Sequence, residues 1–341
     1  MKKTSYYSFA NGTLPPGCQM CVQGRKLVLF VTGLCPRSCY FCPLSEQKFH
    51  KDVMYANERP ITELKEIIEE ARISGAHGCG ITGGDPLAQF ERTITIITML
   101  KAAFQNFHIH LYTPLELVSE EKICALEEAG LDEIRFHPDL DDTKLWERIK
   151  IATTMMKGIE IPCIPGKDIK KLLHFVQGHV AFVNLNELEY ADASQNKLEE
   201  MGYTTKNIYS YGIAGSETLG LQLLEEFPDM RMHFCTAKLK DSVQMVQRLS
   251  LRAKNVQKPY DLVRGMCLLR GAIYGEEDLY IMKEKLQDSF FVDIDFMKKR
   301  LLCSQKDLKK FKNIIKSLGY TPVLVEELAS YDQMEIESLE V

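Results

Sequence analysis

Residues 32 to 44, TGLCPRSCYFCPL, hold three cysteines and two prolines directly after an apolar run. Cys35, Cys39 and Cys42 have the spacing CxxxCxxC. A structural zinc site uses four ligands, and this loop supplies three. Disulfide frameworks use thiols in pairs. An iron–sulfur cube can be held by three thiolates, which leaves its fourth iron open to another ligand. Pro36 and Pro43 restrict the backbone, and Arg37 and Ser38 make the stretch a polar loop, so three unrelated core thiols fit poorly.

A second thiol pair lies upstream. PPGCQMCVQG places Cys18 and Cys21 in a CxxC turn, a common half-site for zinc or iron. Partners for it must come from elsewhere, and HFCTAKLKD offers Cys235 with His233 on the same strand face. These four residues are expected to hold a second iron–sulfur cluster or a zinc. Cys79, Cys124, Cys163, Cys267 and Cys303 stand in apolar surroundings and read as core.

Elements must position these groups. At 341 residues the chain exceeds a typical single domain. Its 45% hydrophobic content and net charge of −5 are those of a globular protein with no general affinity for nucleic acid. No apolar run approaches the ~20 residues of a spanning helix, and no apolar segment follows the N-terminal lysines, so the expected location is the cytoplasm, away from membranes. From Lys26 to about Asn207, β-branched runs alternate with amphipathic stretches, as in βα units. Strands are expected at Leu27–Thr32, Gly78–Thr82, Phe107–Tyr112, Glu133–His137, Ile159–Ile164 and Val180–Glu187. Thr62 is expected to cap one intervening helix and Ser119 another.

Alternate strand residues share a face. His108, His110 and Tyr112 therefore oppose Ile109 and Leu111; Glu133, Arg135 and His137 oppose Ile134 and Phe136; Asn184 and Asn186 oppose Val183 and Leu185. With the apolar face against helices, the other encloses a polar cavity, which suits an α/β fold built as a partial (β/α)6 TIM-like barrel better than a flat sheet. The glycines of GCGITGG match GxGxxG, but they lie within a strand rather than after one, so no dinucleotide site follows. Beyond Asn207 the order is a helix, the strand MRMHFC and a long helix. From about Leu262 a βαββαβ order indicates a C-terminal α+β, ferredoxin-like extension. The segments are 1–25, carrying the CxxC; 26–206, the barrel; 207–261, an α/β extension; and 262–341, the small α+β unit.

The cysteine loop after the first strand resembles the signature of the radical SAM superfamily, with aromatic Phe41 before the third cysteine. ITGGDPL, with Gly83, Gly84 and Asp85, resembles its GGE motif, with Asp where Glu is commoner, and IEIPCIPG its adenine-side segment around Ile164. The nearest group is that related to pyruvate formate-lyase activating enzymes. The resemblance implies a 4Fe-4S cluster on Cys35, Cys39 and Cys42. It also implies S-adenosylmethionine bound by Phe41, Gly83, Gly84, Asp85, His137 and Ile164, and reductive cleavage to a 5′-deoxyadenosyl radical that takes hydrogen from a substrate. A one-electron reductant such as ferredoxin or flavodoxin is implied as partner.

Arg135, Asn184, Asn186, Glu187 and Glu189, near the barrel mouth, are candidates to bind substrate or S-adenosylmethionine. The substrate class stays open among protein, peptide and RNA. Lys298, Lys299, Arg300, Lys306, Lys309, Lys310, Lys312 and Lys316 make the C-terminal unit locally basic, which could meet phosphates. Two other functions stay open: a radical SAM enzyme whose auxiliary cluster inserts sulfur or binds substrate, and a non-catalytic iron–sulfur redox module.

Overall fold

The computed structural model describes residues 1–193 and 196–341. They form two compact units, Met1–Arg72 with Ala76–Met245, and Val246–Val341 with Ile73–Gly75. In chain order the first unit contains β1 (Lys2–Lys3), β2 (Phe9–Asn11), α1 (Pro16–Val22), β3 (Lys26–Phe30), β4 (Met54–Ala56), β5 (Arg59–Ile61), α2 (Lys65–Ile73) and β6 (Gly78–Thr82). It continues with α3 (Phe90–Ala103), β7 (His108–Thr113), α4 (Glu120–Glu128), β8 (Glu133–Phe136), β9 (Met156–Cys163), α5 (Ile169–Val176), β10 (Phe182–Glu187), α6 (Ser216–Glu226) and β11 (Met232–Cys235).

The six expected strands form, and their pairing is parallel in the order β3-β6-β7-β8-β9-β10. A seventh parallel strand, β11, continues the sheet beside β10, and β2 pairs antiparallel with β11. The partial barrel is therefore one strand wider than its local pattern indicates. The segments drawn at 1–25 and 207–261 do not stand apart: the first and most of the second belong to the barrel unit. The reason is long-range pairing, which joins Phe9–Asn11 to Met232–Phe234 across more than half of the chain.

The alternation of faces holds. Leu27, Ile81, Leu111, Ile134, Ile161 and Leu185 are fully buried in the core between sheet and helices. That burial supplies most of the driving force, at about 25 cal/mol per Å² of apolar surface. Ser119 caps α4 as expected, accepting the Lys122 N–H at 3.3 Å. At α2 the roles differ: the Glu66 carboxylate, rather than the Thr62 hydroxyl, accepts the N–H groups of Thr62 and Glu63 at 2.8 and 2.9 Å. A charged acceptor in the first turn outcompetes a hydroxyl for those donors.

The interior is less empty than the polar face suggests, because α1 lies within it against β3, β6 and β7. A Cβ on Gly17 would fall 2.6 Å from both the Arg135 guanidinium and the His110 ring, and one on Gly78 would fall 2.9 Å from Met20 Sδ. Gly78 makes room for Met20 of this helix as well as for the His108 carbonyl, while Gly80 is hemmed in by Lys26 and His110.

The second unit contains α8 (Val246–Val256), β12 (Leu262–Arg264), β13 (Cys267–Tyr274), α9 (Leu279–Leu286), β14 (Asp293–Asp295), β15 (Arg300–Cys303), α10 (Gln305–Ser317), β16 (Thr321–Leu328) and β17 (Glu335–Glu340). From β13 to β16 the order is βαββαβ in an antiparallel sheet arranged β14-β15-β13-β16, the ferredoxin-like arrangement expected. β17 extends it. Not all of the basic residues are free for phosphates. Arg300 is fully buried against Asp295 (2.9 Å) and Glu327 (2.5 Å), and Lys298 pairs with Glu327 at 2.8 Å.

Candidate active site

The three-cysteine loop leaves the C-terminal end of β3, and its base is pinned by backbone. The Gly33 N–H donates to the Lys51 carbonyl (2.8 Å) and the His50 N–H to the Gly33 carbonyl (3.0 Å). A Cβ at Gly33 would sit 1.6 Å from the Lys48 carbonyl oxygen, so no other residue fits. Thr32 donates its hydroxyl to Asp52 at 2.9 Å, and Arg92 clamps both oxygens of Asp52 at 2.6 and 2.9 Å. Within the loop Cys35, Cys39 and Cys42 are all half-buried free thiols. Burial pushes the Cys35 thiol up to about 11. A metal held here must displace thiol protons. Arg37, whose charge marks the stretch as a loop, also ties it to the end of β8: it donates to the His137 carbonyl (2.9 Å) and to Asp139 (2.8 Å).

The Gly83-Gly84-Asp85 turn packs directly on this loop. The N–H groups of Gly84 and Asp85 donate to the carbonyls of Thr32 and Leu34, each at 2.8 Å. A Cβ would fall 2.4 Å from the Thr32 oxygen at Gly83 and 2.5 Å from the Leu34 oxygen at Gly84. What these glycines approach closely is therefore the cysteine loop's own backbone. Asp85 is fully buried; its Oδ1 accepts from the Leu87 N–H (3.0 Å) and the Thr113 hydroxyl (2.9 Å), while Oδ2 has no partner. Burial raises its carboxyl to about 6, against those two hydrogen bonds.

Next to the loop lies a cavity of about 290 Å³, lined by Cys39, Phe41, His137, Ile164, Asp139 and Lys167 among others. The Phe41 and His137 rings stand 6.0 Å apart. Burial, then Arg37, lowers His137 to about 4, so its imidazole is neutral; Nδ1 donates to the Glu160 carbonyl at 2.7 Å, which leaves Nε2 as an acceptor. Cys39, Phe41, His137 and Ile164 are thus brought to one cavity; Gly83, Gly84 and Asp85 do not line it.

The candidates assigned to the barrel mouth divide. Arg135 is buried in the lumen, paired with Glu133 (2.5 Å) and Glu160 (2.6 Å). Burial works against the Glu133 charge, but Arg135 and His108 overcome it and hold that carboxyl down at about 2. Asn184 and Asn186 donate to Glu160 at 3.0 and 3.1 Å. Glu187 is committed elsewhere, accepting the Ala237 N–H (2.8 Å) and Lys206 (2.6 Å); Glu189 pairs with Lys240. A buried carboxylate requires such partners. Glu160, the hub of this lumen, was missed, although its place between Ile159 and Ile161 gives the same two-residue signal as the other strands.

The lumen beside α1 holds a second cavity, of about 90 Å³, lined by Cys18, Cys21, His233 and Cys235 with Lys26, Arg135, Glu160, Asn184 and Lys240 among others. The four residues expected to share a second metal therefore meet at one place. Among the described residues no three His, Cys, Asp or Glu side chains already stand at ligating distance, those of the cysteine loop included. Of the cysteines expected in the core, Cys79, Cys163, Cys267 and Cys303 are buried, but Cys124 is exposed on α4, its thiol toward Glu128 one turn on.

A parallel partial barrel with a cysteine loop, a glycine turn and a cavity at one end is the framework of a cofactor-dependent enzyme. The model of the radical SAM superfamily matches residues 29–157. A Methanocaldococcus jannaschii protein, provisionally named a glycyl-radical enzyme activating enzyme, is 44% identical over 297 residues, 81% of this chain and 78% of that protein. A biotin synthase of Thioalkalivibrio sulfidiphilus is 29% identical over 117 residues, 33% of this chain and 32% of its own. Among solved structures, a radical S-adenosylmethionine methyltransferase of Kitasatospora setae covers 75% of this chain and 57% of its own at 11% identity and a TM-score of 0.39. The chain belongs to the radical SAM superfamily. It is an enzyme that uses a 4Fe-4S cluster and S-adenosylmethionine, cleaving the latter reductively to the 5′-deoxyadenosyl radical, and family membership favours this over a non-catalytic redox module. No helix among the described residues is long and apolar enough to cross a membrane.

Proposed function

We propose that this chain installs a radical on a partner protein by removing a hydrogen atom from a glycine Cα. The activating-enzyme name of the Methanocaldococcus jannaschii relative supports a protein substrate, and the burial of Arg300 weakens the case for RNA.

In this reading Cys35, Cys39 and Cys42 would hold the cluster, with one iron left for the methionine end of S-adenosylmethionine. The observation that carries the assignment is Asp85 Oδ2, a fully buried acceptor without a partner in the turn that packs on the cysteine loop. A buried unpaired carboxylate oxygen is costly, and a ligand ammonium satisfies it. Phe41, His137 and Ile164 line the 290 Å³ cavity and would flank the adenosine there, with Nε2 of His137 as a neutral acceptor. Bound there, cluster and S-adenosylmethionine supply a one-electron cleavage to methionine and the 5′-deoxyadenosyl radical. The hydrogen atom from glycine then completes 5′-deoxyadenosine and leaves a glycyl radical. The electron comes from a ferredoxin- or flavodoxin-type protein. Eleven free cysteines agree with a reducing compartment, and we place the enzyme in the cytoplasm.

The test is anaerobic incubation of the reconstituted protein with S-adenosylmethionine, dithionite and the soluble protein of its host grown on α-deuterated glycine. Deuterium in the 5′-deoxyadenosine is expected; unlabelled product alone refutes the glycine assignment, and no product refutes the site.

A further inference from the structure

The lumen cavity lies apart from the cysteine loop, and its thiols come from two distant elements. Helix α1 supplies Cys18 and Cys21, three residues apart and so neighbours on the helix. Strand β11 supplies His233 and Cys235, two residues apart and so on one face. All four line the same space. His233 is 2% exposed; one ring nitrogen, Nε2, meets the Ser8 hydroxyl at 3.0 Å, and the other, Nδ1, is buried without a partner. That pattern is how a ligating histidine is held: the outer nitrogen is fixed by a hydrogen bond and the inner lone pair is presented.

We propose that Cys18, Cys21, Cys235 and Nδ1 of His233 bind one zinc ion, which staples the N-terminal helix to the last parallel strand. Three thiolates and one imidazole complete a tetrahedral zinc set with no open position, which makes the site structural rather than catalytic. The cavity, of about 90 Å³, has room for a single ion with its ligands around it. The lining suits bound thiolates, since Lys26, Arg135 and Lys240 face it against the one acid Glu160. Cys18 Sγ accepts from Asn184 at 3.1 Å, and Cys235 Sγ lies 4.0 Å from the Gln244 amide. Ligation requires these side chains to turn from their present positions, as it does in the cysteine loop, since neither set stands at ligating distance. The gain is mechanical: the ion would add to what already holds residues 1–25, namely the pairing of β2 with β11, the packing of α1 and hydrogen bonds such as Asn11 to the Leu224 carbonyl and Thr236 to the Tyr7 carbonyl.

Metal analysis of the full chain tests this independently of the radical chemistry. We expect one zinc per chain, retained when Cys35, Cys39 and Cys42 are all replaced by alanine and iron is lost. Cys18→Ala, Cys235→Ala and His233→Ala lose the zinc, while Cys79→Ala keeps it. Ser8→Ala weakens zinc about 10–100-fold in chelator competition, through the orientation of His233. Because alanine variants of a structural site can unfold, the wild-type protein carries the decisive measurement. Cobalt(II) put in place of zinc gives intense tetrahedral bands and thiolate charge-transfer absorption. Absence of those bands overturns the proposal. So does iron rather than zinc surviving in the triple variant, or zinc unmoved by Cys235→Ala in a folded protein.

Discussion

Replacing Asp85 by asparagine separates what this residue does for a ligand from what it costs the fold. Its carboxyl is raised from the usual 3.8 to about 6, chiefly by burial. Between those values the native state holds the proton more tightly than the unfolded chain does. Native stability therefore falls as pH rises through that interval, and the full cost persists above it. Two pKa units correspond to about 3 kcal/mol. Asparagine carries no charge, and its oxygen keeps the Leu87 and Thr113 hydrogen bonds; its amide group, placed where Oδ2 has no partner, costs about 1–3 kcal/mol. The metal-free variant should then be at least as stable as the wild type at pH 7.5, and should lack the decline between pH 4 and 6. Ligand binding moves the other way. Loss of a charge-assisted hydrogen bond to the ammonium is worth about 1.5–3 kcal/mol, or roughly 10–150-fold in Kd. Thermal melts across pH and anaerobic calorimetry of the reconstituted protein with S-adenosylmethionine measure the two arms. A variant that binds within about twofold of wild type, or melts well below it at pH 7.5, refutes the reasoning.

Gly84→Ala puts a Cβ against the Leu34 and Gly33 carbonyls at 2.5 and 2.7 Å. Backbone cannot yield cheaply, so about 1–3 kcal/mol of stability is lost and less iron is incorporated; unchanged values of both in denaturation and iron assays count against the packed turn. Arg135→Met strands Glu133 and Glu160 as buried charges and costs about 3–5 kcal/mol in urea unfolding, and a loss below about 1 kcal/mol removes the pairing from the account. Glu133 has the opposite pH sign to Asp85. Its folded value of about 2 lies below the usual 4.5, so its contribution is complete above 4.5 and lost as pH falls toward 2; Glu133→Gln should flatten that acid slope. Alanine at Cys35, Cys39 and Cys42 together should abolish 5′-deoxyadenosine formation while circular dichroism stays native, since all three thiols are only half-buried.

Much of the site was legible because its signals are local. CxxxCxxC sits in one loop, the glycine turn in another, and the two-residue alternation told the helix-facing side of each strand from its lumen side. The same alternation applied to Ile159-Glu160-Ile161 would have found the hub acid. Less legible was what shares the lumen. Glu187 looked like a mouth residue and is instead buried beneath Lys206, and Cys124 looked apolar by its neighbours yet faces outward.

The amino-acid order alone determined the strand periodicity, the capping of α4, the cysteine loop and the βαββαβ order of the second unit, because each depends on residues within a few positions of one another. Only the tertiary structure decided that α1 fills the barrel, that β11 joins it as a seventh parallel strand, and that the glycines after β6 are demanded by the loop they cross. Those outcomes rest on contacts such as Asn184 to Cys18, separated by 166 residues. Such pairs are selected by which surfaces bury and which buried polar groups find partners once the chain is compact, and no short-range pattern records that choice.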